Sequence, residues 1–189
     1  MKVVCLAGSK FGNTTRIALD LVENLIRQRY PDYHTTLLDL ADYEIEFSDG
    51  RIYQAYQGDT GFVARTIMEA DVVIIATPIF QASIPGTLKN IFDLLPYNGF
   101  ENKVVGIIAL AGSPRHFLVI EHQLKSILNY MKAHVVRQYV FIEDADFDAN
   151  RDITNQNVLL RIRNLVDDTM INLEVMQRLR EARQNAQDK

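Results

Sequence analysis

Four short runs of apolar, β-branched residues stand out along the chain, at 3–7, 72–76, 104–110 and 135–142. Each predicts a β-strand, and 35–40 makes a weaker fifth. The runs at 3, 72 and 104 are nearly continuous rather than alternating, the pattern of strands covered by helices on both faces. Between the strands, apolar positions recur at helical spacing over about 14–29, 62–69, 84–95 and 117–131. Strand and helix therefore alternate, as successive right-handed crossovers require. The simplest arrangement is an α/β three-layer sandwich with a five-stranded parallel sheet in the order 2-1-3-4-5. The six-stranded dinucleotide fold shares this alternation, and the length favours five.

Two segments lie outside that minimal pattern. Residues 43–61 carry Tyr43, Phe47, Tyr53 and Tyr56 among polar residues and three glycines, and read as a long connection whose aromatics either line a pocket or cap the sheet edge. Residues 155–184 form an extra C-terminal helix in which Val158, Ile162, Leu165, Val166, Met170, Leu173, Met176 and Leu179 share one stripe. That stripe exceeds what one small core buries, so 174–183 is expected either to meet another subunit or to fray. With 48% apolar residues in 189 and no repeat or linker, residues 1–189 are expected to form a single domain, with the C-terminal helix over 155–185.

Charge and cysteine content narrow the partners. The net charge of −4 is spread along the chain, so there is no basic stripe for nucleic-acid phosphates. No run approaches the length of a membrane span, and a strand begins at once; the expectation is a cytoplasmic protein with no membrane partner. The one cysteine, Cys5, sits inside the first strand as a core residue. His34, His116, His122 and His134 are scattered without ligand spacing, and no Ser-His-Asp set is visible. No catalytic side chain and no metal site is therefore expected.

In a doubly wound sheet, ligands bind beyond the carboxyl ends of the strands. After strand one the chain reads Gly8-Ser9-Lys10-Phe11-Gly12-Asn13-Thr14-Thr15-Arg16, with a helix starting near Thr14. Unpaired helix amides, the helix dipole and small hydroxyl side chains make this turn an anion cradle that fits a phosphate monoester. It matches neither the nucleoside-triphosphate loop nor the dinucleotide fingerprint. Helix capping by Ser, Asn and Thr is the alternative reading.

After strand three comes Ala76-Thr77-Pro78-Ile79-Phe80-Gln81-Ala82-Ser83-Ile84-Pro85-Gly86-Thr87-Leu88-Lys89-Asn90-Ile91-Phe92-Asp93. Pro78 and Pro85 stiffen the loop, Gly86 permits close approach, and Lys89 and Asp93 are spaced to pair on one helix face. A strand ending in Thr77-Pro78 lacks the reactive aspartate of a phospho-receiver domain. This loop and helix resemble those of the NAD(P)H-dependent FMN reductase family of the flavodoxin-like superfamily. There, a Thr-Pro-x-aromatic turn precedes a Pro-Gly-x-Leu-Lys-Asn helix and an Asp.

The resemblance covers about residues 1–140 and implies a flavodoxin-like fold with FMN as cofactor. It implies that Thr77, Pro78, Ile79, Phe80 and Gln81 run along the isoalloxazine ring. Phe80 stands where the family often has tyrosine, so a hydroxyl contact is missing. It also implies that Ala111, Gly112 and Ser113, after strand four, lie by the flavin pyrimidine edge. Ser9, Lys10, Gly12, Asn13, Thr14 and Thr15 then form the phosphate cradle. The helix from Phe117 to Lys125 looks like the one by which the family forms dimers and tetramers, so a homodimer or homotetramer is expected. A histidine at His122, where alkanesulfonate-associated members have tyrosine nearby, points toward members that retain their flavin.

The implied activity is transfer of hydride from NADPH or NADH to flavin N5, with electrons passing on to a quinone, azo dye or other small acceptor. Lys10, Arg16 and Arg115 are the cations available for a nicotinamide 2′-phosphate. Arg115 and His116 are also simple surface charges on the same reading. Two rivals remain: a flavodoxin-type electron carrier without a nicotinamide site, whose usual acidic face is not evident here, and a flavin-free nucleotide sensor.

Overall fold

In the computed structural model, which describes residues 1–187, the apolar runs align side by side as a parallel sheet. Strands β1 (Lys2–Ala7), β2 (His34–Asp39), β3 (Val72–Pro78) and β4 (Val104–Ala111) take the order β2-β1-β3-β4, with the fifth strand beyond β4. The expected order 2-1-3-4-5 is thus the observed one. Helices α1 (Thr14–Arg29) and α5 (Gln156–Gln187) cover one face, where Val3, Cys5 and Ile74 meet Leu19, Val22 and Leu165. Helices α2 (Gly58–Met68), α3 (Gly86–Leu94) and α4 (Lys125–Tyr130) cover the other, where Val4, Val73 and Ile75 meet Ile67, Leu88 and Leu128. Neighbouring strand residues point to opposite faces, so two covered faces bury every position and leave no alternation.

The fifth strand is broken. Its halves β5 (His134–Val135) and β6 (Val140–Glu143) both pair with β4. Val105 lies opposite Val135 and Ile108 opposite Val140, so three steps on β4 match five on the edge and two residues bulge outward. An even insertion preserves facing: Val136 and Val140 both enter the core under α1 and α5. The polar pair Arg137 and Gln138 stays exposed at this sheet edge.

The helix expected over 117–131 also has a change of pitch. A 3-10 turn at Pro114–His116 leads into one wide π turn, Ile120–Leu124, before α4 begins. Ile120, Leu124 and Leu128 remain buried across the change. Helix α2 begins four residues before the expected 62, because Asp59 and Thr60 are occupied at its start as acceptors for the amides of Glu44 and Glu46.

Those contacts belong to the 43–61 connection, which lies as a strap over α3. Asn90 is its anchor, donating to the Glu46 carbonyl and accepting from the Ser48 amide, both at 2.9 Å. Tyr56 is fully buried and donates its hydroxyl to Asp49 at 2.7 Å, while Tyr43 and Tyr53 pack on the same core. Only Phe47 of the four aromatics is left exposed. Helix α5 buries its stripe as far as Leu173, and Val175 and Leu179 face outward. No helix among the described residues is long and apolar enough to cross a membrane.

Candidate active site

The carboxyl ends of β1, β3 and β4 bring the three loops together. The Gly8 amide donates to the Ala76 carbonyl at 2.8 Å, and the Ile79 amide donates to the Leu110 carbonyl at 2.9 Å. Thr87, in the first turn of α3, donates its hydroxyl to the Gly8 carbonyl at 3.0 Å. A Cβ on Gly8 would meet Leu88 at 3.0 Å, so the first loop lies directly against α3.

At the cradle the capping alternative is not realised. Asn13 is the N-cap of α1 but makes no side-chain capping bond, and the first helical bond runs from the Ile17 amide to the Asn13 carbonyl. Among the described residues, no carbonyl accepts from the amides of Thr14, Thr15 or Arg16. Gly12 takes φ +78°, the left-handed turn that aims the chain into the helix. Ser9 serves the loop itself: its buried hydroxyl donates to the Phe11 carbonyl and accepts from the Phe11 amide. Three uncommitted amides at the positive end of a sixteen-residue helix fit the terminal phosphate of FMN.

The loop after β3 closes as a tight turn. Phe80 and Ser83 exchange two backbone hydrogen bonds of 2.9 Å, and both central residues are left-handed, Gln81 at φ +49° and Ala82 at φ +57°. Neither is glycine, so the turn carries backbone strain. Gln123, from the π turn, holds it: its amide oxygen accepts from the Ser83 hydroxyl at 2.6 Å and its amide nitrogen donates to the Ala82 carbonyl at 3.2 Å. Thr87 and Gln123 carry no signal in the sequence, because each partner lies at least forty residues away.

Of the predicted residues, Ser9, Lys10, Phe80 and Gln81 line one cleft of about 380 Å³ that Gly86 and Thr87 complete. The Phe80 ring is partly exposed there. Gly12, Asn13, Thr14 and Thr15 follow Phe11, the last residue of the first loop to line the cleft, and do not line it themselves. Thr77, Pro78 and Ile79 do not line it; Thr77 is buried and turns its hydroxyl to the Pro78 carbonyl. Ala111, Gly112 and Ser113 stand beside Ile79 through the β3–β4 ladder, also outside the cleft. A Cβ on Gly112 would meet the Asp144 carboxylate at 3.3 Å.

The cations separate into two groups. Arg16 is held by Asp20 at 3.0 Å, Asp42 at 3.5 Å and Asp39 at 3.7 Å, and its hydrogen bond to Asp20 pushes its pKa further up. Its charge is therefore already matched, which removes it from the expected 2′-phosphate candidates. Lys10 has Glu44 at 3.9 Å. Arg115 and His116 are exposed and make no ion pair among the described residues. Lys89 pairs with Asp93 at 2.6 Å, as its helix spacing predicted. Burial pushes the Cys5 thiol up, which leaves it inert. No group of three or more metal-ligating side chains occurs among the described residues.

Comparison with known proteins agrees with this geometry. The family model described as NADPH-dependent FMN reductase matches residues 1–147. A relative from Geobacillus thermodenitrificans, named NAD(P)H-dependent FAD/FMN reductase, is 37% identical over 165 residues, covering 87% of this chain and 89% of its own. The crystal structure of an NADH:FMN oxidoreductase in its apo form superposes with a TM-score of 0.70 at 24% identity, over 90% of this chain and 89% of the other. Oxidised flavodoxin 1 from Bacillus cereus superposes at 0.63 with 15% identity, over 90% and 97%, which shows the fold. With a matched family model across more than three quarters of its length, a flavodoxin-like sheet and a free helix start at the expected phosphate position, the chain belongs to the NADPH-dependent FMN reductase family of oxidoreductases.

Proposed function

We propose that this chain reduces FMN with NADPH or NADH at the cleft between the loops after β1 and β3. The observation that carries the reading is the start of α1, where three amides lack an acceptor among the described residues, beginning three residues after Phe11 of the cleft lining. Thr14, Thr15 and Lys10 would hold the FMN phosphate together with those amides, and Gly12 keeps the approach clear of side chains. Phe80 would lie alongside the ring, and the backbone of Gly112 and Ser113, beyond the cleft's own lining, would meet its pyrimidine edge. A bound flavin would supply the hydride acceptor and the nicotinamide the donor, so the electronics would belong to the two cofactors.

The chain's own task is placement. Holding two rings in contact supplies a large part of the rate without an acid–base pair, which suits a site made of backbone groups and small residues. The strained turn at Gln81 and Ala82, clamped by Gln123, sets where the Phe80 ring stands. The open cleft leaves room for a quinone, azo compound or other small acceptor to take the electrons in turn. We read residues 1–189 as one cytoplasmic domain working as a homodimer or homotetramer; the exposed Leu118, before the π turn, and Tyr130, at the end of α4, support the assembly.

The test is the visible spectrum of the purified protein with FMN, followed anaerobically on adding NADPH or NADH. Bleaching of the oxidised-flavin band is the expected result. Binding without bleaching would mean an electron carrier, and no binding would refute both.

A further inference from the structure

Beyond the cleft, the bulge in the fifth strand builds a second cavity. A groove of about 480 Å³ lies between the bulge, the π turn and the start of α5, lined by Phe117, Tyr139 and Phe141 together with Arg137 and Arg161. Neither arginine makes an ion pair among the described residues. Arg161 is oriented by donating to the Tyr139 carbonyl at 3.2 Å. The one carboxylate in the lining, Glu121, is already answered by Lys125 at 2.6 Å, and that ammonium also donates to the Arg137 carbonyl at 2.9 Å. Asp168 lies near Arg161 in an adjoining small cavity but does not pair with it.

Two guanidinium groups without ion pairs and three aromatic rings lining one groove select a flat aromatic group bearing phosphate, since arginine binds phosphate bidentately and the rings offer apolar contact area. The groove also adjoins the site. Pro114 lines it and is two residues from Gly112, a backbone path of at most about 8 Å. Toward the β2 edge of the sheet, Arg16 is matched by three carboxylates and Lys10 stands at the proposed phosphate cradle. Free positive charge at the strand ends is therefore concentrated toward β6.

We infer that this groove holds the adenosine 2′-phosphate of NADPH, with Arg137 and Arg161 gripping the phosphate and Tyr139 and Phe117 meeting the adenine. The inference rests on the flavin-reductase reading and adds to it a preference for NADPH over NADH. The bulge then has a function: it brings Arg137 and Gln138 into the lining of the groove.

The test compares the NADPH-to-NADH ratio of kcat/KM, at saturating FMN, in the wild type and in Arg137→Ala, Arg161→Ala and Arg163→Ala. Loss of one charge-assisted contact lowers that ratio on the order of tenfold in the first two. Arg163→Ala, an exposed charge on α5 outside the groove, leaves it unchanged. Should Arg161→Ala disturb the bulge, Arg137→Ala still decides, because the Arg137 side chain has no hydrogen-bond partner among the described residues. Calorimetry with 2′,5′-adenosine diphosphate is expected to show binding to the wild type that Arg137→Ala loses.

An unchanged ratio in Arg137→Ala overturns the proposal, as does a selective loss of FAD over FMN turnover with NADH, which would assign the groove to the flavin's adenosine. A wild type that bleaches FMN with neither nicotinamide overturns the reductase reading instead. The calorimetric titration, which needs no turnover, then still reports on the groove.

Discussion

Replacing Gln123 with alanine tests whether the strained turn beside the cleft is held from outside. Two consecutive left-handed residues that are not glycine cost about 1 kcal/mol each. Against this stand the paired backbone bonds of Phe80 and Ser83 and the two bonds from Gln123, the latter together contributing about 1–2 kcal/mol net. Without Gln123 the turn loses most of the offset to its strain. The fraction of molecules with Phe80 correctly placed then falls, and the FMN dissociation constant rises by about the same factor, roughly tenfold for 1.4 kcal/mol.

The assay is quenching of FMN fluorescence on titration with Gln123→Ala, alongside the thermal midpoint, which is expected to move little because the lost bonds are local and partly exposed. Adding Ala82→Gly, which removes one of the two left-handed penalties, is expected to recover part of the lost affinity. Wild-type FMN affinity in Gln123→Ala would refute the clamp. So would a loss that Ala82→Gly leaves untouched.

Thr14→Ala with Thr15→Ala removes two hydroxyl donors from the cradle and is expected to shrink the preference for FMN over riboflavin on the order of tenfold, measured by the same titration. An unchanged preference would mean that the phosphate lies elsewhere. Gly61→Ala drives a Cβ into the Tyr56 carbonyl oxygen at the start of α2, and the forced shift is expected to cost about 2 kcal/mol, or roughly 4–8 °C in Tm by calorimetry. Lys103 gives a pH signature. Its ammonium donates to the carbonyls of Met68 and Ala70 at 2.6 and 2.8 Å, and burial holds its pKa below the usual lysine range.

Between that lowered pKa and the unfolded value, the unfolded chain holds more protons, so this lysine makes stability rise with pH across the window. Thermal midpoints measured up to about pH 10.4, the ordinary lysine value, should show that rise flattened in Lys103→Met. An identical slope in both proteins would count against the shift.

The turn into α1 and the loop after β3 were legible in the sequence because their signals are local. Gly12, Asn13, Thr14 and Thr15 mark a turn into a helix by composition alone, and the Thr77–Asp93 motif is a continuous stretch. The hidden contributors act at a distance. Gln123 clamps a turn forty residues earlier, Thr87 ties α3 to Gly8, and Asn90 anchors the 43–61 strap, all through single polar contacts that leave no periodic trace. Arg16 shows the opposite failure: in sequence it is a free cation beside the cradle, and only folding brings Asp39 and Asp42 to it.

The order of strands and helices followed from apolar runs and helical spacing, since covering both faces of a sheet demands unbroken hydrophobic strands and crossovers demand alternation. The interruption of the fifth strand did not. Residues 135–142 read as one apolar run, and the pairing partner decides where an edge strand bulges: β4 accepts Val135 and Val140 while the two-residue excess preserves the facing of Val136. Local sequence sets which residues prefer to be strand or helix. Which charges are matched, which turn is clamped and which cavity is lined by arginine are decided only when distant segments meet, because those energies exist only between residues the chain has folded together.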